Sequence, residues 1–522
     1  KSSLWARRHT LFRQKPIFAN MSEYFMTSGT PAPKIPYTSR RSPVYCTSHM
    51  SATSQPLATA ASHRILSASG NAVAAAIAAA AVLAVVEPCS TGVGGDMFAL
   101  VYDATKKKVQ GITGCGRLPA DASLSDLDLA TCDVPDINGK FSGKMVTVPG
   151  AIKGWWDLYS RYCDPTSPDA LPGKHYSMPE ILSPAISLAR DGFPVPGPIT
   201  SNAWRDGVEA QVRPHHSGIP SDCPFTNDSG VPPKQGEVFK NPELARVLSL
   251  VGSGPEGFYE GSVASAIVQA VTSKGGKMTE ADLASHTSEW VSPISRPYRG
   301  VTLHEIPPPG QGVAGLVALQ MYGSLEGGRD MSEGDEAHAM VESMRVGFER
   351  ARAKVEDGME EGEVEALFEV GDEVDNFDWS KTASPGSPPS TSCTVSFQTY
   401  DSHGSSVSFV NSNYMGFGTG IVPAGLGFTL QNRGCGFYTA PGVNSYSGGS
   451  RPYHTIIPAM ATRPAAGGGE AEDFVASLSN MGGYMQPQGH LQLMVNLFGR
   501  RSMNAQEAVD EPRFCLLGGL GR

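Results

Sequence analysis

The clearest pattern in the chain is an alternation of apolar and polar residues over 394–401, which is typical of a β-strand with one covered face. Thr394 opens this segment. The turn-forming residues of 401–404 separate it from a second predicted strand over 406–410. A further apolar run, 98–102, predicts another covered strand. The pattern therefore puts a hydroxyl residue at the very start of a buried strand.

Other segments show apolar residues at helical spacing. Helices are predicted over 54–68, 72–86, 179–190, 241–251 and 335–354. Segment 72–86 is rich in alanine and carries no charge, but it is short for a membrane span. Because Gly70-Asn71 and Glu87-Pro88 bound it, we predict a buried core helix. The mixture of strands and helices indicates an α/β protein with no membrane span.

Composition narrows the class of protein. The 522 residues are 40% apolar and 18% charged, which suits a globular chain with a sizeable core. The net charge of −10 argues against nucleic acid as a partner. Nine cysteines are scattered without a CxxC pair or a Cys/His cluster at metal spacing. Reduced structural thiols are therefore favoured over a secreted disulfide framework.

The first 41 residues are basic and nearly free of acids, and we expect them to form an unstructured leader. Such a start is typical of an organelle transit peptide, although Met21 offers an alternative start of a shorter protein. The cysteine pattern favours a cytoplasmic or organellar location over secretion.

The segment that precedes Thr394 has the composition of an exposed loop. Residues 356–378 are dense in Asp and Glu, and 384–390 are rich in Pro and Ser. Such a run is usually only a solvated segment. Here it predicts a mobile loop over 355–390 that presents the Cys393–Thr394 bond for cleavage. Scission at that bond would free the α-amine of Thr394 to act as the base for its own hydroxyl.

Several further motifs follow one another along the chain in a fixed order. They are 70–72, 86–88, 90–95, 147–150, 307–312, 417–420, 427–432 and 480–483. In these motifs the chain resembles the γ-glutamyltranspeptidase family of self-cleaving hydrolases, from about Ser42 to Phe514. The resemblance implies an α/β N-terminal-nucleophile hydrolase fold, an αββα sandwich of two stacked sheets between helical layers. It also implies a large fragment, 42–393, interlocked with a small fragment, 394–522.

The resemblance assigns roles to the residues that would carry the chemistry. Thr394 is the nucleophile, and Cys393 is the last residue of the large fragment, although a thiol there is a competing nucleophile. Ser412 matches the position whose hydroxyl bonds the nucleophile's oxygen. Gly482 and Gly483 match paired glycines whose N–H groups stabilise the oxyanion.

Arg117 is the candidate anchor for a substrate carboxylate, because a guanidinium pairs with a carboxylate in a bidentate manner. In the best-known members the arginine sits two positions earlier relative to Pro-Ala, where this chain has Cys115. A surface arginine therefore stays open as the alternative for Arg117.

The chain departs from the transpeptidases where they bind the α-amine of the substrate. Gly436 stands in place of their aspartate, Arg433 adds a positive charge nearby, and His454-Thr455 replace a Ser-Ser pair. Arg433, His454 and Thr455 are expected to line the substrate site. An acidic amide without the amine is therefore the expected substrate, and Gly436→Asp is expected to improve γ-glutamyl turnover if the backbone tolerates a side chain there.

These residues predict a self-cleaving enzyme that resembles γ-glutamyltransferases and glutathione hydrolases. Its expected partner is a γ-glutamyl or related small acidic amide, with neither metal nor cofactor. An acylase or an oxamate-like small-amide amidohydrolase is the alternative enzyme. An unprocessed, non-catalytic binding protein is the third alternative, since the family's closing strands extend beyond the position of Arg522.

Overall fold

The structure is a computed structural model that describes residues 42–127, 141–216, 223–327, 329–382, 393–466 and 469–517. The predicted leader, the Pro/Ser-rich segment 384–390 and the end of the small fragment beyond residue 517 lie outside the described residues. The peptide bond between Cys393 and Thr394 lies inside them, so the proposed cleavage site can be described in the continuous chain.

The strands and helices have the following bounds. The strands are β1 (Met50–Ala52), β2 (Asp96–Asp103), β3 (Lys108–Gly114), β4 (Phe193–Pro194), β5 (Val238–Phe239), β6 (Glu289–Val291), β7 (Ile294–Tyr298), β8 (Val301–Glu305), β9 (Val395–Tyr400), β10 (Ser406–Ser412), β11 (Ala459–Pro464) and β12 (Glu472–Leu478). The helices are α1 (Pro56–Ser67), α2 (Ala72–Val86), α3 (Ala151–Tyr162), α4 (Met178–Asp191), α5 (Pro198–Gly207), α6 (Pro242–Val251), α7 (Glu256–Tyr259), α8 (Gly261–Ser273), α9 (Glu280–Ala284), α10 (Gly312–Gly327), α11 (Glu333–Lys354), α12 (Glu361–Ala366), α13 (Gly371–Asp375), α14 (Met485–Phe498) and α15 (Ala505–Asp510).

Two antiparallel sheets form the centre of the fold. The first has the strand order β1-β9-β10-β2-β3-β6, and the second has the order β12-β11-β8-β7. Residues after the Cys393–Thr394 bond supply the central strands β9 and β10 of the first sheet and β11 and β12 of the second. Cleavage of this bond would therefore leave the two fragments joined through the hydrogen bonds of both sheets.

Three apolar clusters define four layers. Between the sheets, residues of β2 and β10 pack against Ile306, Ile456 and Met460. A second cluster packs α2, α3 and further helices on the outer face of the first sheet. A third cluster packs α10, α11 and α14 on the outer face of the second sheet. This arrangement confirms the predicted αββα sandwich.

Helix α2 is buried along its whole length, as its uncharged sequence predicts. Asn71 caps its start by accepting a hydrogen bond from the N–H of Ala74 at 2.8 Å. Among the described residues, no helix combines the length and the apolar character that a membrane crossing requires.

The acidic segment before the cleavage site is more ordered than its composition indicates, so the prediction of a loop over 355–390 is wrong for part of that range. It contains α12 and α13, and Val364, Leu367 and Phe368 are buried against the helical layer of the second sheet. Arg350 of α11 donates to the carbonyl oxygen of Leu367 at 2.8 Å. The apolar residues between the acids anchor the segment, and most of the acids are exposed.

Eight cysteines lie in the described part of the chain, and all are free thiols. Burial raises the pKa of several of them, including Cys163 to about 12. The five buried cysteines, Cys89, Cys115, Cys163, Cys223 and Cys435, pack as small apolar side chains.

Candidate active site

Thr394 lies directly before β9, and its side chain is fully buried. Its hydroxyl donates a hydrogen bond to the carbonyl oxygen of Cys393 at 2.7 Å. The Ser412 hydroxyl lies 3.2 Å from Thr394 Oγ1 and donates to the same carbonyl oxygen at 3.1 Å. The two predicted hydroxyl residues therefore meet at the peptide bond that self-cleavage would break.

Strand pairing explains this contact. The register between β9 and β10 pairs Asn411 with Val395, so Ser412 comes to lie beside the residue that precedes β9. The Ser412 hydroxyl also accepts a hydrogen bond from the N–H of Tyr414 at 2.9 Å, which fixes its orientation. Burial raises the pKa of the Cys393 thiol, so this competing nucleophile is held in its less reactive protonated form.

Removing the Ser412 hydroxyl is expected to slow both self-cleavage and turnover. A net hydrogen bond of roughly 1 kcal/mol corresponds to a loss of about threefold to tenfold in rate. Cleavage time courses on gels check this for Ser412→Ala, with Ser412→Thr expected to retain most of the rate. Ser408→Ala is the matched control, because this buried serine of β10 donates to Leu478 instead. A wild-type cleavage rate in Ser412→Ala would contradict the assigned role.

Gly482 and Gly483 form a turn between β12 and α14, with φ angles of 115° and 55° that favour glycine. Their carbonyl groups accept hydrogen bonds from the N–H groups of Met485 at 2.9 Å and Gln486 at 3.1 Å. Within the described ranges, neither glycine N–H has a hydrogen-bond partner. The turn therefore presents two unused donors, as an oxyanion site requires.

A buried carboxylate lies at the start of β2. Asp96 Oδ1 accepts hydrogen bonds from Gln431 Nε2 at 3.0 Å and from the N–H groups of Gly150 and Gly116 at 3.1 and 3.4 Å. Its Oδ2 accepts from His454 Nε2 at 3.1 Å. Burial lowers the pKa of His454 to about 4, and the nearby arginine adds to this effect, so the imidazole is neutral near pH 7.

Arg433 lies beside this carboxylate and is fully buried. Its Nε lies 3.9 Å from Asp96 Oδ2, and its Nη1 donates to Thr455 Oγ1 at 2.9 Å. Its guanidinium carbon lies 4.4 Å from the centre of the Tyr414 ring. Nε and Nη2 have no hydrogen-bond partner in the described part of the chain. Because burial lowers the pKa of Arg433 while Asp96 opposes that shift, the group keeps its charge and offers unused donors to an anion.

Asp96, Cys115 and His454 bring possible metal-ligand atoms within 4.8 Å of one another, although no sequence spacing predicts such a cluster. His454 uses both ring nitrogens, since Nε2 donates to Asp96 and Nδ1 accepts from the N–H of Ile456 at 3.4 Å. Burial raises the pKa of Cys115 well above its usual range, which keeps the thiol protonated. These contacts favour a hydrogen-bonded cluster over a cation site.

Arg117 does not have the surroundings expected of a carboxylate anchor. Its guanidinium is 45% exposed and pairs with Glu289 at 3.3 Å and with Asp357 at 3.0 Å. It also donates to the carbonyl oxygen of Gly449 at 2.9 Å. Because two acids already neutralise its charge at the surface, the contacts support the alternative interpretation of a surface arginine.

Sequence reasoning missed Asp96 and Gln431, which hold the centre of the buried cluster. Asp96 follows the Gly94-Gly95 pair and is the only charged residue between Glu87 and Asp103, which is a signal of a paired buried charge. Gln431 lies in a motif that was recognised, but nothing local to it indicates a partner 335 residues away.

Two stacked antiparallel sheets between helical layers, with a hydroxyl residue opening a central strand, define the N-terminal-nucleophile hydrolase fold. Comparison with known proteins then places the chain within that class. The family described as Gamma-glutamyltranspeptidase matches residues 58–518, and the chain belongs to this family.

The chain is similar to several characterised relatives over most of its length. It is 30% identical over 469 residues to a glutathione hydrolase-like YwrD proenzyme of Bacillus subtilis, covering 88% of this chain and 83% of the relative. It is 29% identical over 475 residues to an oxamate amidohydrolase proenzyme of Klebsiella pneumoniae, with the same coverage of 88% and 83%. The crystal structure of a cephalosporin acylase from Bacillus halodurans superposes with a TM-score of 0.78 at 35% identity, covering 92% of this chain and 86% of the acylase. The family is thus one of hydrolases and acyltransferases that are made as proenzymes.

Proposed function

We propose that this protein is a self-cleaving N-terminal threonine hydrolase of γ-glutamyl or related small acidic amides. The observation that carries the proposal is the contact of the Thr394 hydroxyl, flanked by Ser412, with the carbonyl of Cys393. The same hydroxyl then serves two reactions, one on its own chain and one on the substrate.

In maturation, Thr394 Oγ1 attacks the carbonyl carbon of Cys393, and the carbon–nitrogen bond between the two residues breaks. The hydroxyl proton passes to the departing nitrogen, and an ester joins the fragments. The Ser412 hydroxyl polarises the carbonyl that is attacked. Water then hydrolyses the ester, which leaves a carboxylate on Cys393 and a free α-amine on Thr394.

In turnover, the new α-amine, with a pKa near 8, takes the proton of the Thr394 hydroxyl. The oxygen attacks the substrate carbonyl, and the unused N–H groups of Gly482 and Gly483 stabilise the oxyanion. The amine product departs with the proton, and water or a second amine releases the acyl group. Water gives hydrolysis, and an amine gives transfer.

Arg433 and Thr455 are the proposed contacts of the substrate carboxylate. Within the described part of the chain, Nε and Nη2 of Arg433 make no hydrogen bond, and Nη1 donates to the Thr455 hydroxyl. Both side chains are buried in the continuous chain, which supports a proenzyme whose site becomes accessible only after cleavage.

A small-amide amidohydrolase or acylase that acts on substrates without an α-amine is the second candidate, and Gly436 favours it. A Cβ at this position would lie 2.5 Å from the carbonyl oxygen of Tyr453, so no aspartate fits there. The backbone therefore leaves no room for a side chain at position 436, and Gly436→Asp is not expected to improve γ-glutamyl turnover. The activities named for the oxamate amidohydrolase and the cephalosporin acylase support the same candidate.

Glutathione is expected to be a poor substrate compared with its analogue that lacks the α-amine. An α-ammonium without a facing carboxylate loses a charge-assisted bond and keeps its desolvation cost, together worth roughly 2–3 kcal/mol. This corresponds to a difference of about thirtyfold to a hundredfold in kcat/KM. An assay of both compounds, with a third that lacks the carboxylate as control, measures it. Equal rates for glutathione and the des-amino compound would contradict the proposed specificity.

Gel electrophoresis and an amide panel test the proposal as a whole. The purified protein should form two fragments and hydrolyse at least one of the γ-glutamyl, oxamate-like and acyl amides. A chain that stays whole and hydrolyses none of them would favour the non-catalytic binding protein instead.

A further inference from the structure

We infer that Gln311 is a positioning residue that fixes the Gly482-Gly483 turn relative to Thr455, and so sets the substrate length that the site accepts. The inference rests on the proposed function, because it assigns the two ends of the substrate to the glycine turn and to the Arg433 side.

The main chain around Gln311 is held firmly. It lies in the turn between β8 and α10, where the N–H of Gly310 bonds the carbonyl oxygen of Pro307 at 3.0 Å. The N–H of Gln311 itself donates to the carbonyl oxygen of His454 at 2.9 Å. The side chain is fully buried. The position of Gln311 is therefore well defined, and its side-chain amide can form hydrogen bonds with the neighbouring segments.

The side-chain amide joins two segments of the site. Nε2 donates to the carbonyl oxygen of Thr455 at 2.6 Å and to that of Gly483 at 2.8 Å. Both of its hydrogens are used. Only a side chain with two donors on one atom can make this bridge, and a carboxylate or an apolar side chain of the same size cannot.

At the glycine turn, the hydrogen bond from Gln311 restricts the orientation of Gly483. The carbonyl of Gly482 is held by the N–H of Met485, so the N–H of Gly483, in the same planar peptide, points the opposite way. Gln311 and Gln486 hold the following peptide through the Gly483 carbonyl. Gly483 thus lies between two fixed peptide planes, and its donor has a defined direction.

On the other side, the bridge fixes the residue that contacts the guanidinium. The carbonyl oxygen of Thr455 accepts a hydrogen bond from Gln311, and its hydroxyl oxygen accepts one from Arg433. One amide group therefore connects the proposed oxyanion donors with the proposed carboxylate contact. The distance between them determines how many atoms separate the scissile amide from the carboxylate of a good substrate.

A chain-length series tests the inference. The probes are the mono-p-nitroanilides of oxalic, malonic, succinic and glutaric acid, each of which keeps one free carboxylate. The wild-type protein should prefer one length clearly. In Gln311→Leu, we expect kcat for that length to fall about tenfold to a hundredfold, because small misplacements of catalytic donors have effects of this size. The preference among lengths should also flatten, which a loss of stability alone would not cause.

Two further variants separate positioning from general damage. Gln492→Leu is the matched control, because Gln492 Nε2 also bridges two carbonyl oxygens, those of Gln488 and Phe514, away from the glycine turn. It should keep the wild-type length preference. Gln311→Glu should be nearly inactive while its side chain is a carboxylate that faces two carbonyl oxygens. As the pH falls, its activity relative to the wild type should recover in part, because the protonated acid supplies one of the two donors.

The outcomes are distinct. Wild-type turnover and length preference in Gln311→Leu would overturn the inference while leaving the proposed function intact. A wild-type protein that cleaves itself but hydrolyses no member of the series or of the amide panel would overturn the proposed function, and the inference with it. If Gln311→Leu does not mature, the pH profile of Gln311→Glu decides, and a profile parallel to that of the wild type would overturn the inference.

Discussion

Thr394→Ala is expected to remain one 55.1 kDa chain without amidase activity, whereas the wild type is expected to split. Scaling the mass by the residues on each side of the Cys393–Thr394 bond gives fragments of about 41 and 14 kDa. Both effects have one cause. The substitution removes the oxygen that attacks Cys393, and without cleavage no α-amine becomes available as the base.

Two further variants show whether the effect is specific to the Thr394 hydroxyl. Thr394→Ser keeps the hydroxyl and should still cleave, although slowly. Thr399→Ala removes another buried hydroxyl of β9, one that donates to the carbonyl oxygen of Ala72 at 2.8 Å, and should split like the wild type. Gels and an amide assay measure all three. Cleavage of Thr394→Ala at the same bond would show that another group is the nucleophile.

Gly483→Val is expected to lower the turnover of the matured enzyme by about a hundredfold or more, the usual effect of losing one oxyanion donor. The φ angle of 55° at Gly483 is strained for a β-branched residue, so valine should rotate the peptide and redirect the N–H. The rate is measured per matured fragment pair, so that any effect on cleavage is counted separately.

A valine at Gly300, in the turn between β7 and β8, serves as the control for the effect of backbone strain alone. This glycine has a φ of 81° and open space around a built Cβ. Gly300→Val therefore carries a comparable backbone penalty without touching the site, and it should keep its turnover. Unchanged turnover in a folded, matured Gly483→Val would remove this N–H from the mechanism.

The sequence predicts the core elements well where one local pattern dominates. Helix α2 has the predicted bounds, because an uncharged alanine-rich run lies between a capping Asn71 and Glu87-Pro88. Thr394 and Ser412 lie in contact because the β9–β10 hairpin brings residues close in sequence into register, and the role that the resemblance assigns to Ser412 stays a prediction. Local pattern and family motif agree at both places.

The charged part of the site could not be predicted in the same way. Asp96 and His454 form a hydrogen bond although 358 positions separate them in the sequence. The stacking of the two sheets brings them together. Arg117 is the candidate anchor because a guanidinium pairs with a carboxylate, but in the structure Glu289 and Asp357 hold it at the surface. Spacing along the chain does not determine which arginine is buried.

Composition was misleading in the segment before the cleavage site. The density of acids between residues 356 and 378 predicts a solvated loop, yet Val364, Leu367 and Phe368 attach it to the core. Apolar residues three and four positions apart bury one face of a short helix even when the remaining positions are charged.

The most direct test of the central claim is the N-terminal sequence of the small fragment from the purified wild-type protein, combined with its intact mass. The account predicts a fragment that begins Thr394-Val395-Ser396, with a mass of about 14 kDa if it extends to Arg522. A fragment that begins at any other residue, or an unsplit chain that hydrolyses small acidic amides, would contradict it.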